Sequence, residues 1–175
     1  MFEYILVLLL NELALMKKDH VAKILQQWEV QRPDLDCSPV AIIGRISRVE
    51  KIMKPKIQQG MTPFGLTAIE FDILATLRRN NCALTPTQLY QMAMLSSGAM
   101  TTNLDKLEKR LLIKRQHSPR DRRSCTVDLT SKGWELIESA YPAHLCNEEK
   151  MLAPLDSQDR ALLANLLQRW LSANE

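Results

Sequence analysis

With 175 residues, 46% of them hydrophobic and 25% charged, the chain can bury a substantial core and has the balance of an ordinary folded domain with terminal arms. That composition excludes a disordered chain, a collagen-like repeat and a disulfide-stapled miniature. Five glycines and 5% aromatic residues argue against a β-sandwich or barrel, and the net charge of +3 gives no strong overall bias. Cys37, Cys82, Cys125 and Cys146 lie far apart without a CxxC pair, and His20, His117 and His144 share no metal-ligand spacing with them or with one another. Reduced thiols in a cytoplasm, no metal and no other cofactor are expected. There is no Gly-rich phosphate loop, nucleophile elbow or HExxH, so nothing points to an enzyme.

The charge is unevenly placed. Residues 96–132 hold 9 Lys+Arg against 4 Asp+Glu, whereas residues 133–175 hold 3 against 7. A basic stretch next to acidic sequence suits a phosphate backbone, although a solvated basic face is the plainer alternative.

Residues 1–20 are read as an N-terminal extension. The apolar run Ile5 to Leu10 is flanked by Glu3, Asn11 and Glu12 and falls short of the ~20 residues a bilayer span requires. Glu3 is also the opposite of a basic secretory start. Met16-Lys17-Lys18 offers an alternative beginning, and the preceding residues are either outside the functional sequence or a short apolar helix in need of a partner surface.

Val21 to Trp28 has helical spacing, and Gln31 to Asp36 is a polar break. Ser38-Pro39 reads as an N-cap followed by the first helical position. Ile42, Ile46, Val49 and Met53 then form a stripe of 3.6 period, predicting a helix to about Gln58 with Gly60 as its stop and Pro55 kinking it or ending it early. Thr67 to Glu70 is a capping box that opens a helix through Ile69, Ile73, Leu74 and Leu77, ending at Asn80-Asn81. Thr85-Pro86-Thr87-Gln88 is a second box, starting a short helix with Leu89, Tyr90 and Met92.

Ser96-Ser97-Gly98 starts a third helix. Met100, Leu104, Leu107 and Leu111 fall on one side, with Ser97, Thr101, Thr102, Asn103, Asp105 and Lys106 on the other. Ile113 to His117 and the alternating Cys125, Val127 and Leu129 predict two strands around a turn bearing Arg120, Arg122 and Arg123. Helix, turn, helix and a cationic hairpin together make a winged helix, in a mainly α protein with one small β-hairpin. Thr130 to Gly133 begins a further helix that Pro142 bends or interrupts. Asp156 caps a last one, whose Leu162, Leu163, Leu166, Leu167, Trp170 and Leu171 call for a neighbouring chain.

An α-helix fits the major groove of duplex DNA, where each base pair shows its own pattern of donors and acceptors. Ser96, Ser97, Gly98, Thr101, Thr102, Asn103 and Lys106 offer short polar groups and close backbone approach there. An exposed helix without a partner would favour Glu, Lys and Ala instead. Arg120, Arg122 and Arg123 suit a narrow minor groove, with Asp121 holding one of them. Lys106, Lys109, Lys114 and Arg115 serve either phosphates or the surface. Cys37, ahead of a helix start, is either an inert thiol or an oxidation sensor. A winged helix that binds protein rather than DNA is a further alternative.

Gly65-Leu66-Thr67 through Leu77, Leu95-Ser96-Ser97 through Lys109, Asp121-Arg122-Arg123 and Leu129-Thr130-Ser131-Lys132-Gly133 resemble the MarR family of winged-helix regulators, over about Ser38 to Leu171. The resemblance implies residues 21–60 as helices of dimerisation and ligand binding, 61–132 as the DNA-binding domain and 133–175 as C-terminal dimerisation helices. It implies a homodimer on a pseudo-palindromic operator with half-sites ~10 bp apart. It also implies repression relieved by a small anionic or phenolic effector. Trp28, Asp72 and Arg79 further resemble ligand residues of the urate-responsive subgroup. Asn103 stands where that subgroup has another arginine, so the implied anion site has one cation fewer. For Asp72 and Arg79 an ion pair along one helix is the alternative, and for Trp28 plain packing.

Overall fold

The structure, a computed structural model, describes residues 18–93, 97–117 and 125–175. Side chains of residues 97–99 and 117 are outside that description. The expectations for residues 1–17 and for the wing tip also lie outside the described residues. In chain order the elements are α1 (His20–Gln31), α2 (Ser38–Met61), a 3-10 turn (Thr62–Phe64), α3 (Ala68–Asn80), α4 (Pro86–Met92) and α5 (Ser97–Lys109). They continue with β1 (Ile113–His117), β2 (Cys125–Leu129), α6 (Ser131–Leu152) and α7 (Ser157–Ser172). The mainly helical class with one hairpin is therefore as expected. The chain divides into two compact units between Ile52 and Met53, part-way along α2.

In the first unit, Asp19 caps α1. Its carboxylate accepts from the Ala22 N–H at 2.7 Å and pairs with Arg45 of α2 at 2.7 Å. The Ala22 N–H, then the Arg45 guanidinium, hold the Asp19 carboxyl below its ordinary pKa. Val21 is the buried residue of α1 and packs at Gly44, where α2 has no side chain. The start of α2 differs from expectation. Ser38 is already helical, and Asp36 does the capping, accepting the Ser38 N–H at 2.9 Å and its hydroxyl at 3.0 Å. Carboxylates cap as well as hydroxyls do, so the boundary moved by one residue. Ile42, Ile43, Ile46, Val49 and Ile52 of α2 are exposed in the single chain.

The second unit contains the core, and α2 enters it further than predicted. The helix runs through Pro55 and through Gly60, which is not its stop. Gly60 is instead a close approach: a Cβ there would meet Asn147 Nδ2 of α6 at 2.6 Å, and that amide donates to the Lys56 carbonyl at 3.1 Å. The left-handed residue that ends the segment is Gly65, at φ 61°. Both capping boxes, Thr67/Glu70 and Thr85/Gln88, form as predicted. Ile73, Leu74 and Leu77 of α3, Leu89 of α4, Leu104 and Leu107 of α5, Ile113 and Val127 of the hairpin and Ile137 of α6 are fully buried together. At about 25 cal/mol per Å² this shared apolar burial is the main force holding the three-helix cluster to α6.

β1 and β2 pair antiparallel, from Ile113 opposite Leu129 to His117 opposite Cys125. Leu84, in the α3–α4 connection, adds a bridge that the sequence pattern did not reveal, exchanging backbone hydrogen bonds with Val127 at 2.9 and 2.7 Å. α6 continues through Pro142 as one helix, with Ile137 and Ala140 seated in the core just before it. Arg78 of α3 lies 4.1 Å over the Trp134 ring and pairs with Glu138, and Phe71 packs on His144 at 4.6 Å between ring centroids. At the far end of α6, Arg160 donates to the Leu152 and Leu155 carbonyls and pairs with Glu149 at 2.6 Å, setting the turn into α7. Leu162, Leu163, Leu166, Leu167, Trp170 and Leu171 of α7 are all exposed in this chain.

Leu111 also departs from the predicted apolar side. It is 67% exposed and takes φ 59°, because it is the left-handed residue that ends α5. The Leu112 N–H returns to the Leu107 carbonyl at 3.0 Å and the Leu111 N–H to Glu108 at 2.8 Å, which is a Schellman closure. The segment Thr130 to Gly133 locks this ending. Thr130 donates to the Leu111 carbonyl at 2.7 Å while accepting the Gly133 N–H at 3.0 Å, and Lys132 Nζ donates to the Arg110 carbonyl at 3.1 Å. A Cβ on Gly133 would lie 1.9 Å from the Leu112 oxygen, so only glycine fits.

Two outcomes follow from these contacts. Gly133→Ala should lower stability by about 3 kcal/mol in urea unfolding, the upper range for forced overpacking, because the obstacle is backbone. Asp19 and Asp36 have pKa values lowered from 3.8, the latter mainly by the Ser38 N–H. The stability they add is present above that pH and lost as the pH falls through their lowered values. On acidification, amide exchange should therefore rise first at the starts of α1 and α2.

Candidate nucleic-acid interface

α3, α4 and α5 form the helical cluster, and the exposed side of α5 is the candidate reading surface. A 3.6-residue turn puts Met100, Leu104 and Leu107 inward, and all three are buried. Thr101, Thr102, Lys106 and Lys109 are exposed on the opposite side. Asn103 is a correction. It is 8% exposed, because it stands three residues after Met100 and four before Leu107, on the inward arc. Its polarity suggested the outer face, but its angular position governs. Ser97 and Gly98 lie in the first turn of α5, and Ser96, Arg120, Arg122 and Arg123 fall outside the described residues.

The other cations of this stretch are mostly engaged. Arg110 reaches the buried carboxylate of Glu70 at 3.4 Å, and Glu70 also accepts the Thr67 N–H at 2.8 Å, so α3 and the end of α5 share one charge contact. Lys114 pairs with Asp128 across the hairpin at 3.3 Å. Arg115 binds Asp105 at 2.7 Å and Glu108 at 3.3 Å. Lys106 and Lys109 make no ion pair among the described residues. The i, i+3 spacing of Asp105 and Glu108 is a sequence signal for a facing cation that composition alone hides.

Of the ligand candidates, Trp28 is 46% exposed on α1 in the first unit. Asp72 is half-buried on α3 in the second, two turns before Arg79. Arg79 donates to the Met92 carbonyl at the end of α4, a contact not foreseen from sequence. It also lines a cleft of about 350 Å³ with Ala75, Arg78, Ile137 and Tyr141. Cys37 is half-buried just ahead of α2, and the four cysteines are free thiols. No helix among the described residues is long and apolar enough to cross a membrane.

An exposed polar helix on two supporting helices, closed by a hairpin and tied to the next helix, is a winged helix-turn-helix. Residues 66–125 match the sequence model of the MarR family. The HTH-type transcriptional regulator PecS of Dickeya dadantii is 37% identical over 151 residues, 85% of this chain and 91% of that protein. The multiple antibiotic resistance protein MarR of Salmonella typhimurium is 30% identical over 132 residues, covering 74% and 90%. A mutant Escherichia coli MarR complexed with operator DNA has a similar structure, with a TM-score of 0.67 at 26% identity over 78% of this chain and 99% of that one. A MarR-like regulator from Bacillus cereus shares the fold with a TM-score of 0.73 at 16% identity, covering 80% and 100%. The chain belongs to the MarR family of transcriptional regulators.

The placement of α5 side chains separates three kinds of variant. Lys106→Ala should weaken duplex binding on every sequence and lower the log–log salt slope by about one. Thr101→Ala should change base preference at one position while leaving the slope unchanged. Asn103→Ala should cost about 1–2 kcal/mol of stability as a buried polar truncation, with base preference unaltered. Fluorescence anisotropy across a salt series and a set of single-base operator variants reads the first two, and urea unfolding the third.

Proposed function

We propose that this regulator is a homodimeric repressor that binds a pseudo-palindromic operator in duplex DNA and is released by a small anionic or aromatic effector. The observation that carries the DNA contact is the outward face of α5. There Thr101 and Thr102 stand exposed beside Lys106 and Lys109, while the opposite face is fully committed to the core. Short hydroxyl and methyl groups read base edges, and two ammonium groups with no ion pair among the described residues favour phosphates. Ser96, Ser97 and Gly98 at the helix start, and Arg120, Arg122 and Arg123 on the wing, complete the proposed contact set.

A second copy of the chain fits the exposed apolar residues of α2 and α7, whose burial in a dimer is worth far more than their exposure. For the effector, Arg79 is the best-supported residue. Arg79 lines a cleft with Arg78 and Tyr141, and an anion reaching its guanidinium would compete with the Met92 carbonyl, to which charge-neutral bonding is weaker. Asp72, on the same helix, is proposed with it, and Trp28 of the first unit is proposed separately as a ligand contact. Such a ligand needs to bind the DNA-free form 5–150-fold tighter to supply roughly 1–3 kcal/mol of coupling.

The test is a mobility shift on the duplex flanking its own gene, with salt varied and with urate and salicylate as probes. Affinity should fall steeply with salt, and one of the probes should reverse the shift in the wild type but not in Arg79→Met. A flat salt dependence would exclude the phosphate contacts. Leu166→Glu on α7 should convert the dimer to monomer by light scattering and abolish the shift.

A further inference from the structure

Arg115 lies on β1, yet its side chain turns back to α5. Nη2 is 2.7 Å from Asp105 Oδ1 and Nη1 is 3.3 Å from Glu108 Oε2. Its backbone N–H also donates to Glu108 Oε1 at 3.3 Å, so helix and strand meet through three polar contacts at one residue. The Arg115 side chain is only 21% exposed, much less than either carboxylate partner. Asp105 and Glu108 are one turn apart, which brings both carboxylates to the flank of α5 that faces the strand. The rigid guanidinium fork spans two acids in a way that a lysine ammonium cannot.

Two acids on a helix that faces a polyanion are unfavourable unless they serve something other than the DNA. Together they carry one more unit of charge than Arg115 neutralises, so the cluster adds no attraction for phosphate. What it does is hold β1 at a set angle to α5. The helix addresses one groove and the wing its neighbour, and an error in the angle between them weakens both contacts.

We propose that Arg115 is a positioning residue: it clamps the wing strand to the recognition helix through Asp105 and Glu108, and makes no phosphate contact of its own. The proposal rests on the DNA-binding reading above.

The experiment uses the full-length dimer and anisotropy on the duplex flanking its own gene. Asp105→Asn removes a negative charge beside the DNA. Plain electrostatics then gives tighter binding, whereas loss of the clamp gives weaker binding, expected at fivefold or more. Arg115→Lys keeps the charge but loses the fork. A clamp residue so changed loses about as much affinity as Arg115→Gln, while a phosphate contact would be largely kept. In an Asp105→Asn, Glu108→Gln background, Arg115→Gln should add less than twofold. Circular dichroism accompanies each variant, and if Asp105→Asn fails to fold, Glu108→Gln alone reads the same sign. Equal or tighter binding by the carboxylate variants, or wild-type affinity in Arg115→Lys, overturns the clamp. A wild-type protein that shows no salt-dependent binding to duplex overturns the DNA reading beneath it.

Discussion

The close approach of Gly133 to the Leu112 carbonyl is the constraint on which the rest of the second unit depends. With no Cβ at that position, α6 begins against the backbone that ends α5. Three carbonyls at the end of α5 then find partners from one short segment: Arg110 from Lys132, Leu111 from the Thr130 hydroxyl and Leu112 from the Thr130 N–H. A leucine in the left-handed region costs about 1–2 kcal/mol, and these contacts offset it. Because Arg110 also meets Glu70, the end of the reading helix is held to both α3 and α6. Any movement of α6 against α3 is therefore felt at α5, which is the mechanical basis a ligand-responsive regulator needs.

Charge has two separate uses in this fold. The basic excess of residues 96–132 looks like one electrostatic patch when it is counted along the chain. In space, Arg110, Lys114 and Arg115 are spent on Glu70, Asp128, Asp105 and Glu108. Among the described residues of α5, Lys106 and Lys109 remain available for a phosphate backbone. The paired cations tie the elements of the winged helix together, and the two lysines stand on the outward face of α5.

Outside α5, the exposed apolar residues of α2 and of α7 and the cleft at Arg79 are further unpartnered features of the described residues. Among the described residues, Arg79 is in no carboxylate pair that an anion would have to break. It holds a neutral carbonyl at the end of α4, two residues before the segment leading into α5. A bond to a neutral carbonyl is weaker than one to a charged group, so Arg79 is held less firmly there than a carboxylate would hold it.

Much of the molecule was legible from local chemistry. The capping boxes at Thr67/Glu70 and Thr85/Gln88, the inward stripe of α5, the alternating strand to Leu129 and the Leu-Thr-x-Lys-Gly segment are patterns set by neighbours a few residues apart. Three positions depart from the local pattern. Gly60 has the pattern of a stop and is a packing contact with Asn147; Asn103 has the polarity of an outward residue and is buried; Leu111 has the spacing of an inward residue and caps a helix. Gly60 is decided by a neighbour 87 residues away, of which local propensity carries no record, whereas Asn103 follows its angular position on α5 and Leu111 the closure of that helix. The chain alone determined its helices, its hairpin and its family, since these follow from period, caps and motif. Tertiary packing decided which cations face solvent and which glycines are obligatory, because pairing and close approach are properties of the assembled surfaces.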